Sequence, residues 1–133
     1  MNNQELCKLA IQAKNMAYAP YSHFKVGAAL LTKNGKVYLG GNIENMSFGA
    51  TNCAERTAFF KAISEGEREF SAIAIVGGKE DNISIASPCG ICRQVMSEFC
   101  NKDFKILLVK DNNLYEEYSL GELLPKAIDL DLK

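Results

Sequence analysis

Leu6, Leu9, Ala10, Ala13, Met16 and Ala17 recur three and four positions apart, the spacing of one helix face, with Asn2 or Asn3 available as cap and Pro20 as terminator. The pattern changes at Val26. Two short apolar runs, Val26–Thr32 and Val37–Asn42, flank Lys33-Asn34-Gly35-Lys36. An Asn-Gly pair tolerates positive φ at both residues, so a hairpin closed by a type I′ turn is expected. After an irregular stretch through Asn52, Ala54–Glu65 has helix-forming composition, an apolar side of Ala58, Phe59, Ala62 and Ile63, and Gly66 placed to end it. Ser71–Val76 is apolar on both faces, which predicts a strand covered by helices on each side, with Gly77-Gly78 at its end.

A polar loop leads to a helix opened by Pro88 and running to about Phe99, then to a second apolar strand, Ile106–Val109. Tyr115–Tyr118 fits a last strand, and Ser119 with Glu122 fits a capping box opening a short helix through Leu124. The succession helix, hairpin, helix, strand, helix, strand predicts an α/β sandwich with helices packed on a mixed sheet.

At 133 residues, 47% hydrophobic and 23% charged, the chain has the size of a single domain, residues 1–133. Fifteen Lys and Arg against sixteen Asp and Glu leave a net charge of -1, no electrostatic footprint for a nucleic acid partner. Met1–Glu5 lacks the basic region and apolar run of a signal peptide, and the apolar stretches Val26–Leu31 and Ala72–Val76 are too short to cross a bilayer. A soluble, cytoplasmic protein without a membrane partner is expected. Five cysteines are too few for a disulfide scaffold and cannot all pair within one chain, so metal binding or catalysis is the better reading.

Cys89 and Cys92 form a Cys-x2-Cys at the start of a predicted helix, where both sulfurs can chelate one ion. Cys53 also opens a helix, and the unpaired N–H groups of a helix start favour thiolate over thiol. Three thiolates converging on a tetrahedral zinc leave one position for water, the catalytic pattern. Glu55 lies two positions after Cys53, where a carboxylate can take a proton from that water and deliver it to a substrate nitrogen.

Cys53-Ala54-Glu55, separated by residues 56–88 from Cys89-Gly90-Ile91-Cys92 with Pro88 before it, resembles the small homotetrameric zinc-dependent cytidine deaminases. Asn42-Ile43-Glu44-Asn45, Phe24-Lys25-Val26-Gly27-Ala28-Ala29, Tyr18-Ala19-Pro20-Tyr21-Ser22 and Glu122-Leu123-Leu124-Pro125 match that pattern in order, nearly along the whole chain. The resemblance implies a three-layer α/β/α sandwich around a mixed five-stranded sheet. It implies one zinc ion per chain on Cys53, Cys89 and Cys92, with Glu55 shuttling protons as a zinc-activated water attacks C4 of cytidine or deoxycytidine in pyrimidine salvage. It further implies that Phe24 packs on the pyrimidine, Asn42 and Glu44 bind ribose hydroxyls, and the backbone at Ala54 and Ser87 reads the base edge. A homotetramer with sites completed by neighbouring subunits is implied as well. Three thiolates on Zn²⁺ carry an excess negative charge of about one, which Arg56 can offset by donating to a ligand sulfur, with Gln94 assisting. Phe48 stands where relatives commonly carry Tyr, and Ile128 where an aromatic often closes over a neighbour's substrate.

Other readings use the same residues. Cys89 and Cys92 with Cys100 or Cys7 would make a structural zinc site in a non-catalytic binding module, although Cys7 and Cys100 read better as buried small hydrophobes. A Cys-x2-Cys redox site leaves Cys53 and Glu55 unexplained. His23 reads as part of a solvated loop and Phe24, by itself, as a core aromatic. Aminonucleoside antibiotic deaminases share the cysteine signatures, but Asn42-Ile43-Glu44 suits a plain ribose.

Overall fold

The computed structural model describes residues 1–128. Helix α1 (Asn3–Lys14) begins with a reciprocal cap: Asn2 Oδ1 accepts the Glu5 N–H at 2.8 Å, and the Glu5 carboxylate accepts the Asn2 N–H at 3.1 Å. It stops at Lys14, well before Pro20, and Met16 is 78% exposed rather than on the apolar side. The cause is tertiary: Tyr18 donates to the Asn42 carbonyl at 2.8 Å and accepts from the Glu44 N–H, pulling the chain into an extended bridge.

Strands β1 (Phe24–Thr32) and β2 (Val37–Gly41) form the expected antiparallel hairpin. Its turn is not type I′. Of its residues only Gly35 has positive φ, 90°, while the Thr32 N–H bonds the Lys36 carbonyl, which makes a three-residue loop with one left-handed position. Helix α2 (Ala54–Ser64) follows as expected. Strand β3 (Phe70–Lys79) runs through Gly77-Gly78 instead of ending there, and β1 starts two residues earlier than its apolar run. The two extensions pair with each other, Phe24 opposite Lys79 and Val26 opposite Gly77. A Cβ on Gly77 would lie 2.8 Å from the Phe24 ring, so the bare glycine makes room for it.

Helix α3 (Gly90–Phe99), strands β4 (Lys105–Val109) and β5 (Tyr115–Ser119) and the one-turn helix α4 (Leu120–Leu123) complete the fold. The sheet order is β2-β1-β3-β4-β5, with β3 and β4 parallel and every other pair antiparallel. Alternate residues of the central strands face opposite layers. Ala29, Ala72, Ala74, Val76, Leu107 and Val109 pack under Leu6, Cys7 and Ala10 of α1. Leu30, Ile73, Ile75, Ile106 and Leu108 pack with Ala58, Phe59 and Ala62 of α2 and Met96 of α3. The three-layer architecture is therefore as the resemblance implies. No helix of the described residues is long and apolar enough to cross a membrane.

Gly40 fixes where α2 begins. A Cβ there would sit 2.5 Å from the Ala54 carbonyl and 2.6 Å from the Ala58 nitrogen, so the first turn of α2 rests directly on β2.

Candidate functional site

Cys53 is the N-cap of α2 and Cys89 the N-cap of α3, and packing α2 and α3 on one face of the sheet brings these two helix starts together. The Cys53 and Cys89 sulfurs are 3.6 Å apart, those of Cys89 and Cys92 are 3.4 Å apart, and all three lie within 4.8 Å of one another. Cys89 Sγ also accepts the Cys92 N–H at 3.4 Å, the helix-cap bond that locks the Cys-x2-Cys in a chelating shape.

Arg56, one turn into α2, donates from Nη2 to Cys53 Sγ at 3.2 Å, while its Nε is buried without a hydrogen-bond partner. Proton sharing among the sulfurs is uneven. Hydrogen bonds from Cys92 and Arg56 lower the Cys53 pKa, whereas the Cys53 sulfur and burial raise that of Cys92. Only a cation lets all three sulfurs ionise at once, and a tris-sulfur set with a guanidinium against it fits Zn²⁺. Cys7 and Cys100 lie outside the cluster. Burial pushes their thiols up to about 11 and about 12, as small core hydrophobes rather than ligands.

Glu55, 4% exposed, is carried by the first turn of α2. Burial, reinforced by the Cys53 thiolate, pushes its carboxyl up to about 7, so it can take up or release a proton near neutrality. Its side chain faces a cavity of about 290 Å³ whose wall also includes Phe24, Asn42, Cys53, Ala54, Ser87 and Cys89. Thr51, Asn52 and Ala86 line it too, although no motif singled them out.

The expected ribose-binding residues carry prior engagements. Asn42 accepts the Val26 N–H at 2.8 Å and donates to the Phe24 carbonyl at 3.0 Å, tying the start of β1 to the end of β2. Glu44 lies in an adjoining cavity of about 380 Å³ with Tyr21, Ser22 and Phe48, joined to the first through Thr51. Its carboxylate accepts the Tyr21 N–H at 3.0 Å, the Ser22 N–H at 3.1 Å and the Ser22 hydroxyl, whose bond holds it below the usual carboxylate range. Gln94 is exposed and makes no hydrogen bond to the sulfurs, so the assisting role expected of it is not seen; α3 turns its side chain outward. Phe48 is 83% exposed and Ile128 is exposed as well. His23 sits exposed in its loop with φ 59°.

Arg93 was not anticipated. Its three nitrogens bond Ser87 Oγ at 2.8 Å, the Pro88 carbonyl at 2.7 Å and the Leu123 carbonyl at 2.6 Å. The only sequence signal is its place four residues after Cys89, one helical turn along the same face.

Residues 1–108 match the family model described as the cytidine and deoxycytidylate deaminase zinc-binding region. A cytidine deaminase of Halalkalibacterium halodurans is 54% identical over 96% of this chain and 94% of its own length. One from Sporosarcina psychrophila is 48% identical over 96% of this chain and 91% of its own. The crystal structure of cytidine deaminase from Burkholderia pseudomallei superposes with a TM-score of 0.88 at 47% identity, covering 96% of this chain and all of that one. A blasticidin-S deaminase of Bacillus cereus is 32% identical over 91% of this chain and 88% of its own.

Proposed function

The chain belongs to the zinc-dependent cytidine and deoxycytidylate deaminase family, and from that premise we propose that it hydrolyses cytidine and 2′-deoxycytidine to uridine and 2′-deoxyuridine plus ammonia. One observation carries the reading: a buried carboxyl poised near neutrality, Glu55, lines the same cavity of about 290 Å³ as Cys53 and Cys89.

Cys53, Cys89 and Cys92 would hold the zinc, whose Lewis acidity makes water acidic enough to serve as nucleophile near neutral pH. Glu55 is placed to take a proton from a water in the cavity and to pass it to N3 of the cytosine ring. With the bond from water oxygen to C4 formed, the same carboxyl takes the remaining proton from that oxygen and carries it to the amino group. The C4–N bond then breaks, and ammonia leaves. Arg56 stays on the Cys53 sulfur and offsets the negative charge of three thiolates, which would otherwise blunt the metal's acidity. Burial of Glu55 serves the same end from the other side, because a carboxylate of ordinary pKa would be too weak a base to take the proton in the first place.

Phe24 offers its ring to the pyrimidine, and the backbone at Ala54 and Ser87 offers the groups that read its edge. Asn42 retains one N–H and one lone pair beyond its bonds to β1. A carboxylate has about four acceptor directions; Glu44 uses three on residues 21 and 22 and keeps one for a ribose hydroxyl. Residues 1–133 act as one catalytic domain in cytoplasmic pyrimidine salvage, as a homotetramer whose subunits complete one another's sites, with no nucleic acid partner.

The test is Glu55→Gln, which keeps the side-chain shape and removes the proton carrier. Turnover of cytidine, followed by its ultraviolet absorbance, should fall by at least about 10²–10⁴-fold, with one zinc per chain retained. Activity within tenfold of the parent would overturn the role of Glu55. Loss of zinc instead would favour the non-catalytic structural site.

A further inference from the structure

We infer that Arg93 is a positioning residue, a clamp that holds the Ser87-Pro88 wall of the cavity against the carboxyl-terminal end of α4. Each of its three guanidinium nitrogens is already engaged within the chain, on Ser87 Oγ, the Pro88 carbonyl and the Leu123 carbonyl. A guanidinium so occupied has little left for a ligand; what it does is fix the groups it touches.

Those groups are the ones that need fixing. Ser87 lines the cavity and Pro88 immediately precedes the metal-ligating Cys89, yet residues 80–87 form an irregular connection between β3 and α3. That connection is secured at its far end by Lys14, whose ammonium donates to the Glu80 carbonyl, and by the Gly77–Ser84 bridge. Between Ser84 and the start of α3, residues 85–88, Ala86 and Pro88 are packed into the core, and among the described residues the side-chain hydrogen bonds that hold the segment come from Arg93. The third bond reaches Leu123, the last residue of a helix of one turn anchored in the core by Leu120. The guanidinium therefore makes one rigid unit of the cavity wall and the end of α4, whose Leu123 lies 30 positions beyond Arg93 in the chain.

The kinetic arm rests on the deaminase reading; the geometric arm does not. Hydrogen exchange and steady-state kinetics are measured on the zinc-loaded parent, on Arg93→Lys, which keeps the charge but not the planar fork, on Ser87→Ala, and on the double variant. Losing one hydrogen bond to a charged group is worth roughly 10- to 150-fold. Arg93→Lys should speed exchange in residues 84–92 and 120–124 together by about tenfold, leaving β3 residues 72–76 unchanged. It should raise KM for cytidine about fivefold or more while kcat changes less than about twofold and zinc content stays at the parental value. Ser87→Ala should add less than about twofold in that background, since the bond it removes is already gone.

Unchanged exchange in either segment overturns the clamp, whatever the protein turns over. So does a fall in zinc content with KM unchanged, or full additivity of the two substitutions. A parent inactive on cytidine but showing the paired exchange change overturns the deaminase reading alone.

Discussion

Glu55 faces opposing demands from folding and chemistry. Its carboxyl sits at about 7 because burial disfavours the charge, against 4.5 for the ordinary group. The folded chain therefore keeps a proton that the unfolded chain releases between those two values. Stability is full below about pH 4.5, declines as pH rises through about 7, and then levels off, a loss of about 1–3 kcal/mol from this residue. In metal-free protein, Glu55→Gln should flatten that decline: urea midpoints at pH 5 and pH 8 should differ less in the variant than in the parent. Equal differences would mean that the ionised carboxylate is not desolvated as the fold indicates. At this scale the sequence was most readable where chemistry restricts the residue type. Three cysteines and a glutamate at helix starts point to one chemistry. Asn42, Glu44 and Arg93 bind backbone or loop groups far away in the chain, and nothing in their own neighbourhoods announces those partners.

Between elements, the contact that decides the site is the seat of α2 on β2 at Gly40. Gly40→Ala forces a methyl into backbone atoms that cannot swing aside, so α2 must lift, with Cys53 and Glu55 on its first turn. A destabilisation of about 1–3 kcal/mol is expected, together with weaker zinc binding, both read by thermal melts with and without added zinc. Gly49→Ala, where a Cβ meets open space, should stay within about 0.5 kcal/mol. Melts in which the two variants behave alike would remove Gly40 from this role. The elements themselves were legible wherever a local signal closes them, as the Asn2 and Ser119 caps do. Their ends were misjudged where a distant partner takes over: the Tyr18 bridge cuts α1 short of Met16, and Phe24 lying over Gly77 carries β1 and β3 past their apolar runs.

For the whole molecule, Met46, Phe48 and Ile128 leave large apolar side chains in solvent on a chain of nearly balanced charge. With four subunits, light scattering should give about four times the chain mass, and Phe48→Glu should shift the protein toward smaller species and raise KM. A parent that runs as a monomer at full activity would remove the shared-site reading. The order of sulfurs along the chain has a further consequence. Cys89 and Cys92 are neighbours on one turn, but Cys53 is 36 positions away from Cys89, with all of α2 and β3 in between. An ion gripping all three acts as a reversible staple across a long loop, and closing a loop of that size restricts the unfolded chain by about 3–4 kcal/mol on an entropic model. Since β3 lies between β1 and β4 in the folded sheet and between Cys53 and Cys89 in the chain, an ion on all three sulfurs would report the assembled fold, whereas Cys89 and Cys92 alone would report only one helix turn.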